Sequence, residues 1–148
     1  MEIVDTLKNG YKIIQNSEMF KFGIDAVLLS YFSFNQIRNN EKIIDLGTGN
    51  GIIPLLLAKS RAKTITGLEI QKENVEIAKK SIALNQLENK INVIQGDIKL
   101  VSKDFPKHSF DSVLTNPPYM INNHGKQNPN DAKLIARHEV LCNLEDII

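Results

Sequence analysis

The chain has 148 residues, which is enough for one domain with a single hydrophobic core, and 42% of them are hydrophobic. Its 18 lysines and arginines nearly balance its 17 aspartates and glutamates, so the formal net charge of +1 provides no general basic field, and any RNA site must be a local patch. The longest apolar run, residues 52–58, is far shorter than the roughly 20 residues of a membrane span, and the N-terminus lacks a signal-peptide pattern. Cys142 is the single cysteine, which excludes an internal disulfide and a multi-cysteine metal site. These features predict a cytoplasmic protein with no membrane partner.

The N-terminal part of the chain, residues 1–41, is predicted to be a cap segment of the same domain. It carries an aromatic stretch at residues 19–23, followed by a predicted helix at residues 24–31. Residues 42–148 contain the predicted core, so that the chain forms one domain overall.

From residue 42 onward, short apolar runs alternate with segments of helical periodicity. One helix is predicted directly after Gly51, and a second at residues 71–85, where Val75, Ala78 and Ile82 share one face. Strands are predicted at residues 42–46, 64–69, 91–95 and 110–115. This alternation predicts an α/β fold, with a doubly wound parallel sheet and helices on both of its faces. The loops after the strands then lie along one edge of the sheet, where such sheets bind ligands.

The C-terminal part of the sequence has a different character. Residues 120–137 are polar and rich in asparagine, and Asn143 then provides a helix N-cap signal shortly before the chain stops at Ile148. We therefore expect the sheet to be incomplete on its C-terminal side, as in a truncated protein.

A glycine-rich segment joins the first predicted strand to the helix that follows it. Its residues Asp45, Gly47, Gly49 and Gly51 suit a sharp turn where a ligand approaches the backbone closely. Glu69 ends the next strand about 20 residues later, where a carboxylate can accept hydrogen bonds from both hydroxyls of a ribose. The pair indicates a cofactor that contains adenosine.

Two further residues refine the nature of this cofactor. A dinucleotide fingerprint would have its third glycine at position 52, where this chain has Ile52, whereas Gly51 fits the spacing of methyltransferases. Asp97 follows the third strand and would face the same edge, where it could accept a hydrogen bond from an adenine amino group. Taken alone it could equally be a turn residue, but its position relative to Glu69 favours a ligand role.

The tetrapeptide Asn116-Pro117-Pro118-Tyr119 follows the fourth predicted strand. Its prolines fix two φ angles and remove two N–H donors, leaving a rigid turn whose acceptors are the Asn116 side-chain oxygen and the Pro117 carbonyl. Such a turn can hold both hydrogens of a planar amine, on which Tyr119 would stack. The alternative is a simple Pro-Pro turn that ends the strand.

Over residues 42–119 these motifs resemble the class I S-adenosylmethionine-dependent methyltransferases of the N6-adenine and N5-glutamine group. The resemblance implies a Rossmann-like cofactor-binding and catalytic core with S-adenosylmethionine as its cofactor. It assigns cofactor contacts as follows: Asp45, Gly47, Gly49 and Gly51 around the methionine part, Glu69 on the ribose, Ile70 and Ile98 on the two faces of the adenine, Asp97 on its amino group, and Asn116 beside the methyl group. It also makes Asn116, Pro117, Pro118 and Tyr119 the catalytic residues that hold the target amine.

The target amine is indicated by segments outside these motifs. Residues 11–16, 20–29 and 135–139 resemble bacterial tRNA(Val) adenine-N6 methyltransferases, of the methyltransferase small domain type. The resemblance implies transfer to the exocyclic N6 amine of an adenine in tRNA, near the anticodon. One alternative is N5 methylation of a glutamine in a protein such as a release factor, although residues 1–40 do not resemble the helical domain of that group. A second is a non-catalytic module that binds RNA or nucleotide.

Basic residues near the predicted site are candidates for RNA phosphates, although each could also be an ordinary solvated charge. They are Lys12, Lys21, Lys126, Lys133 and Arg137. His124 and His138 have no partner at metal-ligand spacing, so no metal is expected.

Overall fold

The computed structural model describes residues 1–19 and 21–117. Within them the chain forms six strands and four α-helices, with a 3-10 turn at Ile98–Leu100. In chain order the elements are β1 (Glu2–Thr6), β2 (Lys12–Asn16), α1 (Ile24–Phe34), β3 (Lys42–Leu46), α2 (Ile52–Leu56), β4 (Thr64–Glu69), α3 (Lys72–Leu84), β5 (Ile91–Gln95), α4 (Val101–Asp104) and β6 (Ser112–Thr115).

Four strands form a parallel sheet in the order β5-β4-β3-β6. The predicted parallel α/β sheet is thereby confirmed. Strand β3 pairs with β4 on one side and with β6 on the other, so the strand order reverses beside β3. In open α/β sheets such a reversal leaves a crevice at the carboxyl ends of the strands.

Strand β6 is shorter than the predicted residues 110–115 because Asp111 does not continue the regular ladder. The Asp111 carboxylate accepts a hydrogen bond from the Lys42 N–H at 2.8 Å, and the Asp111 N–H donates to the Lys42 carbonyl at 2.8 Å. A side chain thus replaces the backbone acceptor at the start of this strand pair.

The hydrophobic core lies on both faces of the sheet because successive side chains of a strand point in opposite directions. Ile43 is fully buried on the face covered by α2 and α3, where Ala78 is also fully buried. Ile44 belongs to a second cluster on the other face, with Leu68 and partly buried Phe105. The buried side of α3 is the predicted one, and the helix bounds differ from the predicted 71–85 by one residue at each end.

The N-terminal residues form two structures that pack on helices. Strands β1 and β2 make an antiparallel hairpin, and the Ile14 N–H donates to the buried Ser81 hydroxyl of α3 at 2.9 Å. At the hairpin tip, Asn9 Nδ2 donates to the Leu55 carbonyl of α2 at 3.0 Å. Helix α1 packs against α2 and extends three residues beyond the predicted end at 31. Among the described residues, no helix combines the length and apolarity that crossing a membrane requires.

Candidate active site

A cavity opens at the carboxyl edge of the sheet, where the ends of β3, β4, β5 and β6 meet the beginning of α1. Leu46 and Thr115 are the last paired residues of β3 and β6, and the Thr115 hydroxyl donates to the Leu46 carbonyl at 3.0 Å. One residue further along each strand, Gly47 and Asn116 both line the cavity. The predicted amine-holding turn therefore begins beside the predicted cofactor loop.

The glycine loop turns sharply and is anchored to the neighbouring strand. The N–H groups of Gly47 and Thr48 both donate to the Leu68 carbonyl, at 2.8 and 2.9 Å. Gly47, Gly49 and Gly51 have left-handed φ angles of 74°, 58° and 84°. Gly47 and Gly49 line the cavity.

Gly51 has a different environment from the other two glycines. It does not line the cavity, and a side-chain carbon at this position would lie 3.2 Å from Cβ of Ala78. The missing side chain therefore allows the start of α2 to approach α3 closely. The structure assigns Gly51 a packing role next to the site.

Glu69 connects the glycine loop with the beginning of α3. Its Oε2 accepts a hydrogen bond from the Gly49 N–H at 2.8 Å, and its Oε1 accepts one from the Gln71 N–H at 2.8 Å. Burial raises the pKa of this carboxyl, and the donated hydrogen bonds of Gln71 and Gly49 oppose that rise. Hydrogen bonds from the Asn74 side chain and from the Ile70 backbone also lower this pKa. Most of the about four acceptor positions of an ionised carboxylate are therefore used within the chain.

Asp45 lies at the end of β3 and is fully buried. Neither of its carboxylate oxygens has a hydrogen-bond partner among the described residues, and the same is true of the buried Thr48 hydroxyl oxygen. Burial and, less strongly, the negative charge of Glu69 together raise the pKa of Asp45 to about 7. The two Asp45 oxygens and the Thr48 hydroxyl oxygen can all accept hydrogen bonds, and unpartnered acceptors next to the cavity suit a cationic amino group.

Asp97 is a turn residue that also lies in the cavity wall. Its Oδ1 accepts a hydrogen bond from the Lys99 N–H at 2.9 Å, which caps the 3-10 turn, and the residue also lines the cavity. Ile70 and Ile98 line the same cavity from the ends of β4 and β5.

The predicted site residues fall into three groups. Those that line the cavity are Gly47, Gly49, Glu69, Ile70, Asp97, Ile98, Asn116 and Pro117, whereas Asp45 and Gly51 lie behind its wall. Those outside the described residues are Pro118, Tyr119, Lys126, Lys133 and Arg137, as are His124, His138 and Cys142. No cluster of three His, Cys, Asp or Glu side chains that could hold a metal occurs within residues 1–19 and 21–117.

The two remaining basic candidates occupy different positions. Lys21 is exposed and precedes Phe22, which lines the cavity. Lys12 lies on the hairpin beside Asn85, whose side-chain amide donates to the Lys12 carbonyl at 2.6 Å, so it is at the far end of α3 from the cavity.

Several cavity residues were not predicted from the sequence. Phe22, Gly23 and Ala26 line the cavity from the start of α1, and Asn74 lines it from the first turn of α3. Asn74 is 7% exposed, and its side chain lowers the pKa of Glu69 by hydrogen bonding. The sequence did contain a signal for Asn74, because it is a polar residue in the first helical turn after Glu69, which ends β4.

Comparison with known proteins gives concordant results. A curated tRNA1(Val) (adenine(37)-N6)-methyltransferase of Tolumonas auensis is 33% identical over 130 residues, which are 86% of this chain and 52% of that protein. A protein of the same name from Bacteroides fragilis strain YCH46 is 27% identical over 128 residues, with the same coverage of both chains. The chain thus spans about half the length of these curated relatives.

Solved structures share the fold. Methanocaldococcus jannaschii Trm5 in complex with adenosine has a TM-score of 0.66 at 24% identity, covering 79% of this chain and 35% of that one. Pyrococcus abyssi tRNA (uracil-54, C5)-methyltransferase in complex with S-adenosyl-L-homocysteine has a TM-score of 0.63 at 21% identity, covering 79% and 28%. The Rossmann-like methyltransferase fold predicted from the sequence is confirmed. Since the model of the methyltransferase small domain family matches residues 18–138, most of the chain, this chain belongs to that family.

Proposed function

We propose that this chain transfers the methyl group of S-adenosylmethionine to the exocyclic N6 amine of an adenine in tRNA, near the anticodon. The observation that carries the proposal is the position of Asn116 and Pro117 in the wall of the cavity that Glu69 and the glycine loop also line. The curated relatives support the choice of substrate, because their names specify adenine-N6 methylation of tRNA1(Val).

Membership of a methyltransferase family implies a methyl donor of the S-adenosylmethionine type, and we infer that it is S-adenosylmethionine itself. When bound, this donor supplies an electrophilic methyl group on a positively charged sulfur. The Glu69 carboxylate lies at the cavity wall and suits ribose hydroxyls as an acceptor, and Ile70 and Ile98 suit the faces of the adenine. Asp97 accepts its capping bond through Oδ1, which leaves Oδ2 for the adenine amino group.

The methionine part of the donor fits the glycine loop. Gly47 and Gly49 provide exposed backbone without side chains at the cavity wall. The unpartnered oxygens of Asp45 and Thr48 lie beneath them, and an ammonium group is the kind of donor that these oxygens lack.

Asn116 and Pro117 would hold the target amine. The lone pair of an adenine N6 amine is delocalised into the ring, so the amine is a weak nucleophile. Two acceptors, Asn116 Oδ1 and the Pro117 carbonyl, would bind its two hydrogens and favour the pyramidal form that attacks. The Thr115 hydroxyl ties the start of this turn to β3. Holding the amine in line with the methyl group can contribute about 7–11 kcal/mol to lowering a barrier.

Pro118 and Tyr119, which lie outside the described residues, complete the proposed turn. Pro118 would fix the backbone after Pro117, and Tyr119 would stack on the adenine, a contact worth roughly 1–3 kcal/mol per base. Stacking of this kind suits an unpaired base that leaves the RNA stack at modest energy. The glutamine side chain of a release factor would also present a planar amine, but the names of the relatives favour adenine.

The proposal is tested by incubating the protein with methyl-labelled S-adenosylmethionine and either unmodified tRNA or purified release factors. We expect label in tRNA, recovered as N6-methyladenosine after digestion. Label found in protein alone would replace the proposal with glutamine methylation. Donor binding in calorimetry without any transfer would instead support a non-catalytic binding module.

A further inference from the structure

A row of basic residues follows the amino edge of the sheet, on the side opposite to the cavity. Lys42 is the first residue of β3, and Lys63 directly precedes β4. The strand register pairs Lys42 with Thr64, so the two lysines lie at neighbouring strand ends, where strands are about 4.8 Å apart. The Lys63 N–H donates to the Glu41 carbonyl at 2.7 Å, which holds the two loops together.

Two arginines extend this row on the same pair of loops. The Asn40 N–H donates to the Arg61 carbonyl at 3.0 Å, and Arg61 Nη2 donates to the Asn35 carbonyl at 3.4 Å. The Arg38 side chain is 80% exposed. We call the four exposed cations Arg38, Lys42, Arg61 and Lys63 the basic edge.

The carboxylates of this region neutralise one member of the basic edge. Glu41 is 6% exposed, accepts hydrogen bonds from the Arg38 N–H at 2.8 Å and the Ser112 hydroxyl at 3.0 Å, and forms an ion pair with the Arg38 guanidinium at 3.3 Å. Asp111 accepts the Lys42 N–H. Among the described residues, Lys42, Arg61 and Lys63 form no ion pair. These three positive charges are therefore not paired with a carboxylate of the described part of the chain.

We propose that the basic edge binds the phosphate backbone of the tRNA substrate, away from the methylated base. The proposal rests on the proposed function. Exposed lysines and arginines are the side chains that bind RNA phosphates, and phosphate contacts fix the position of the nucleic acid while base contacts give specificity. Arginine also offers a planar fork that matches a phosphate.

The position of the basic edge determines which part of the RNA it would reach. Four steps along β3 separate Lys42 from Leu46, which lines the cavity, a distance of about 13 Å at 3.3 Å per residue. The phosphates at the basic edge therefore belong to nucleotides several positions from the target adenine. A short stem-loop, cut to the anticodon loop and two base pairs, would occupy the cavity without reaching them, whereas whole tRNA would contact both.

The test uses the double variant Arg61→Glu with Lys63→Glu and the control Lys79→Glu with Lys103→Glu. Both change the net charge equally, and the control residues are exposed on α3 and α4. Affinity for whole tRNA and for the short stem-loop is measured at several salt concentrations. We expect the basic-edge variant to bind whole tRNA roughly tenfold more weakly, with a salt slope reduced by about 1–2, and to bind the stem-loop like the control.

Equal affinity of the two variants for whole tRNA would overturn the proposal, and so would an equal loss for tRNA and stem-loop. Calorimetry with S-adenosylhomocysteine shows that each variant is folded. If the unmodified protein methylated no tRNA but the basic-edge variant still lost tRNA affinity selectively, the proposed function would fail while this inference stood.

Discussion

The two edges of the central sheet carry opposite charges, although both are formed by the ends of the same strands. At the carboxyl edge, Glu69 is buried in the wall of a cavity lined largely by apolar and backbone groups, and Asp45 is buried behind that wall. At the amino edge, Lys42 and Lys63 are exposed, and the carboxylate of Glu41 is occupied by structural hydrogen bonds. A net charge of +1 thus conceals a separation of charge along the strands.

The difference between the edges has a physical cause. Helices α2 and α3 begin at the carboxyl edge, so their free N–H groups are available to acidic side chains, as the bond from Gln71 to Glu69 shows. At the amino edge long basic side chains can cover apolar surface with their methylene groups and keep their charged ends in water. The first arrangement favours a buried small ligand, and the second favours an exposed polyanion.

The largest expected effect concerns catalysis at the carboxyl edge. Asn116→Ala removes one acceptor for the target amine, and we expect kcat for methyl transfer to fall by about 100-fold to 1,000-fold, as for other preorganised polar groups. Binding of S-adenosylhomocysteine, followed by calorimetry, should change far less. The control Asn89→Ala alters an exposed residue of the turn before β5 and should keep full activity. Undiminished turnover of Asn116→Ala would show that the amine is held elsewhere.

The next effect concerns the cofactor. Glu69→Ala removes the proposed ribose acceptor and leaves the N–H groups of Gly49 and Gln71 without their partner. Hydrogen bonds to a charged group are worth roughly 1.5–3 kcal/mol each, so we expect S-adenosylhomocysteine to bind about 100-fold more weakly. Glu76→Ala, on the exposed side of α3, provides the control. Equal affinities in calorimetry would remove Glu69 from the site.

A third prediction concerns pH. Because the folded pKa of Asp45 is raised from 3.8 to about 7, the protonated carboxyl favours folding, and this contribution is lost as pH rises through that interval. The ligand-free protein should therefore become less stable from pH 4 to pH 7. Affinity for S-adenosylhomocysteine, which carries an ammonium group, should increase as Asp45 ionises near pH 7. Thermal unfolding and calorimetry of Asp45→Asn should both show a weaker pH dependence.

Glu41, at the amino edge of the sheet, should change the stability of the protein with pH in the opposite direction. The hydrogen bond from the Arg38 N–H lowers the pKa of Glu41, although burial opposes it. Glu41 is covered by Arg38 and Ser112 close to the surface, which is why the hydrogen bonds prevail over burial. Its contribution is present above its usual pKa of 4.5 and is lost as pH falls through the lowered value, so Glu41→Gln should reduce acid sensitivity. The same pH dependence in both variants would contradict the contrast between the edges.

The smallest effect concerns packing beside the cavity. Gly51→Ala introduces a side chain at a left-handed φ angle of 84° and brings it within 3.2 Å of Ala78. Gly10→Ala has a similar φ angle of 90° but no atom within 4 Å of the new carbon. Strain of this kind costs about 1–2 kcal/mol, so urea unfolding should show a larger loss for Gly51→Ala than for Gly10→Ala. Equal losses would mean that α2 and α3 can separate without cost at this point.

The sequence was sufficient to predict the bounds of those strands that form an apolar run between two turn signals. Strands β3, β4 and β5 begin and end at the predicted residues, since each has apolar residues that pack in the core and its hydrophobic pattern records that packing. The pairing of β1 with β2 was not predicted. It depends on contacts such as Ile14 with Ser81, 67 residues apart, which no local pattern contains.

Prediction of the site had the same limit. Gly47, Gly49 and Glu69 were identified because turn glycines and an acidic strand end occur at a recognisable spacing. Phe22 reaches the cavity only through tertiary packing, so its position carried no comparable signal, and Asn74 carried only the weaker signal of a polar residue in a first helical turn. The basic edge also becomes visible only when the strand register brings Lys42 next to Lys63.

The hydrogen bonds of Glu69 have a consequence for the thermodynamics of ligand binding. Its carboxylate is already oriented by the Gly49 and Gln71 N–H groups, so its rotamer is chosen before any ligand arrives. Ordering a flexible side chain on binding would cost about 0.5–1.5 kcal/mol in conformational entropy. Here that entropy is lost during folding, so binding of the proposed ribose does not carry this cost.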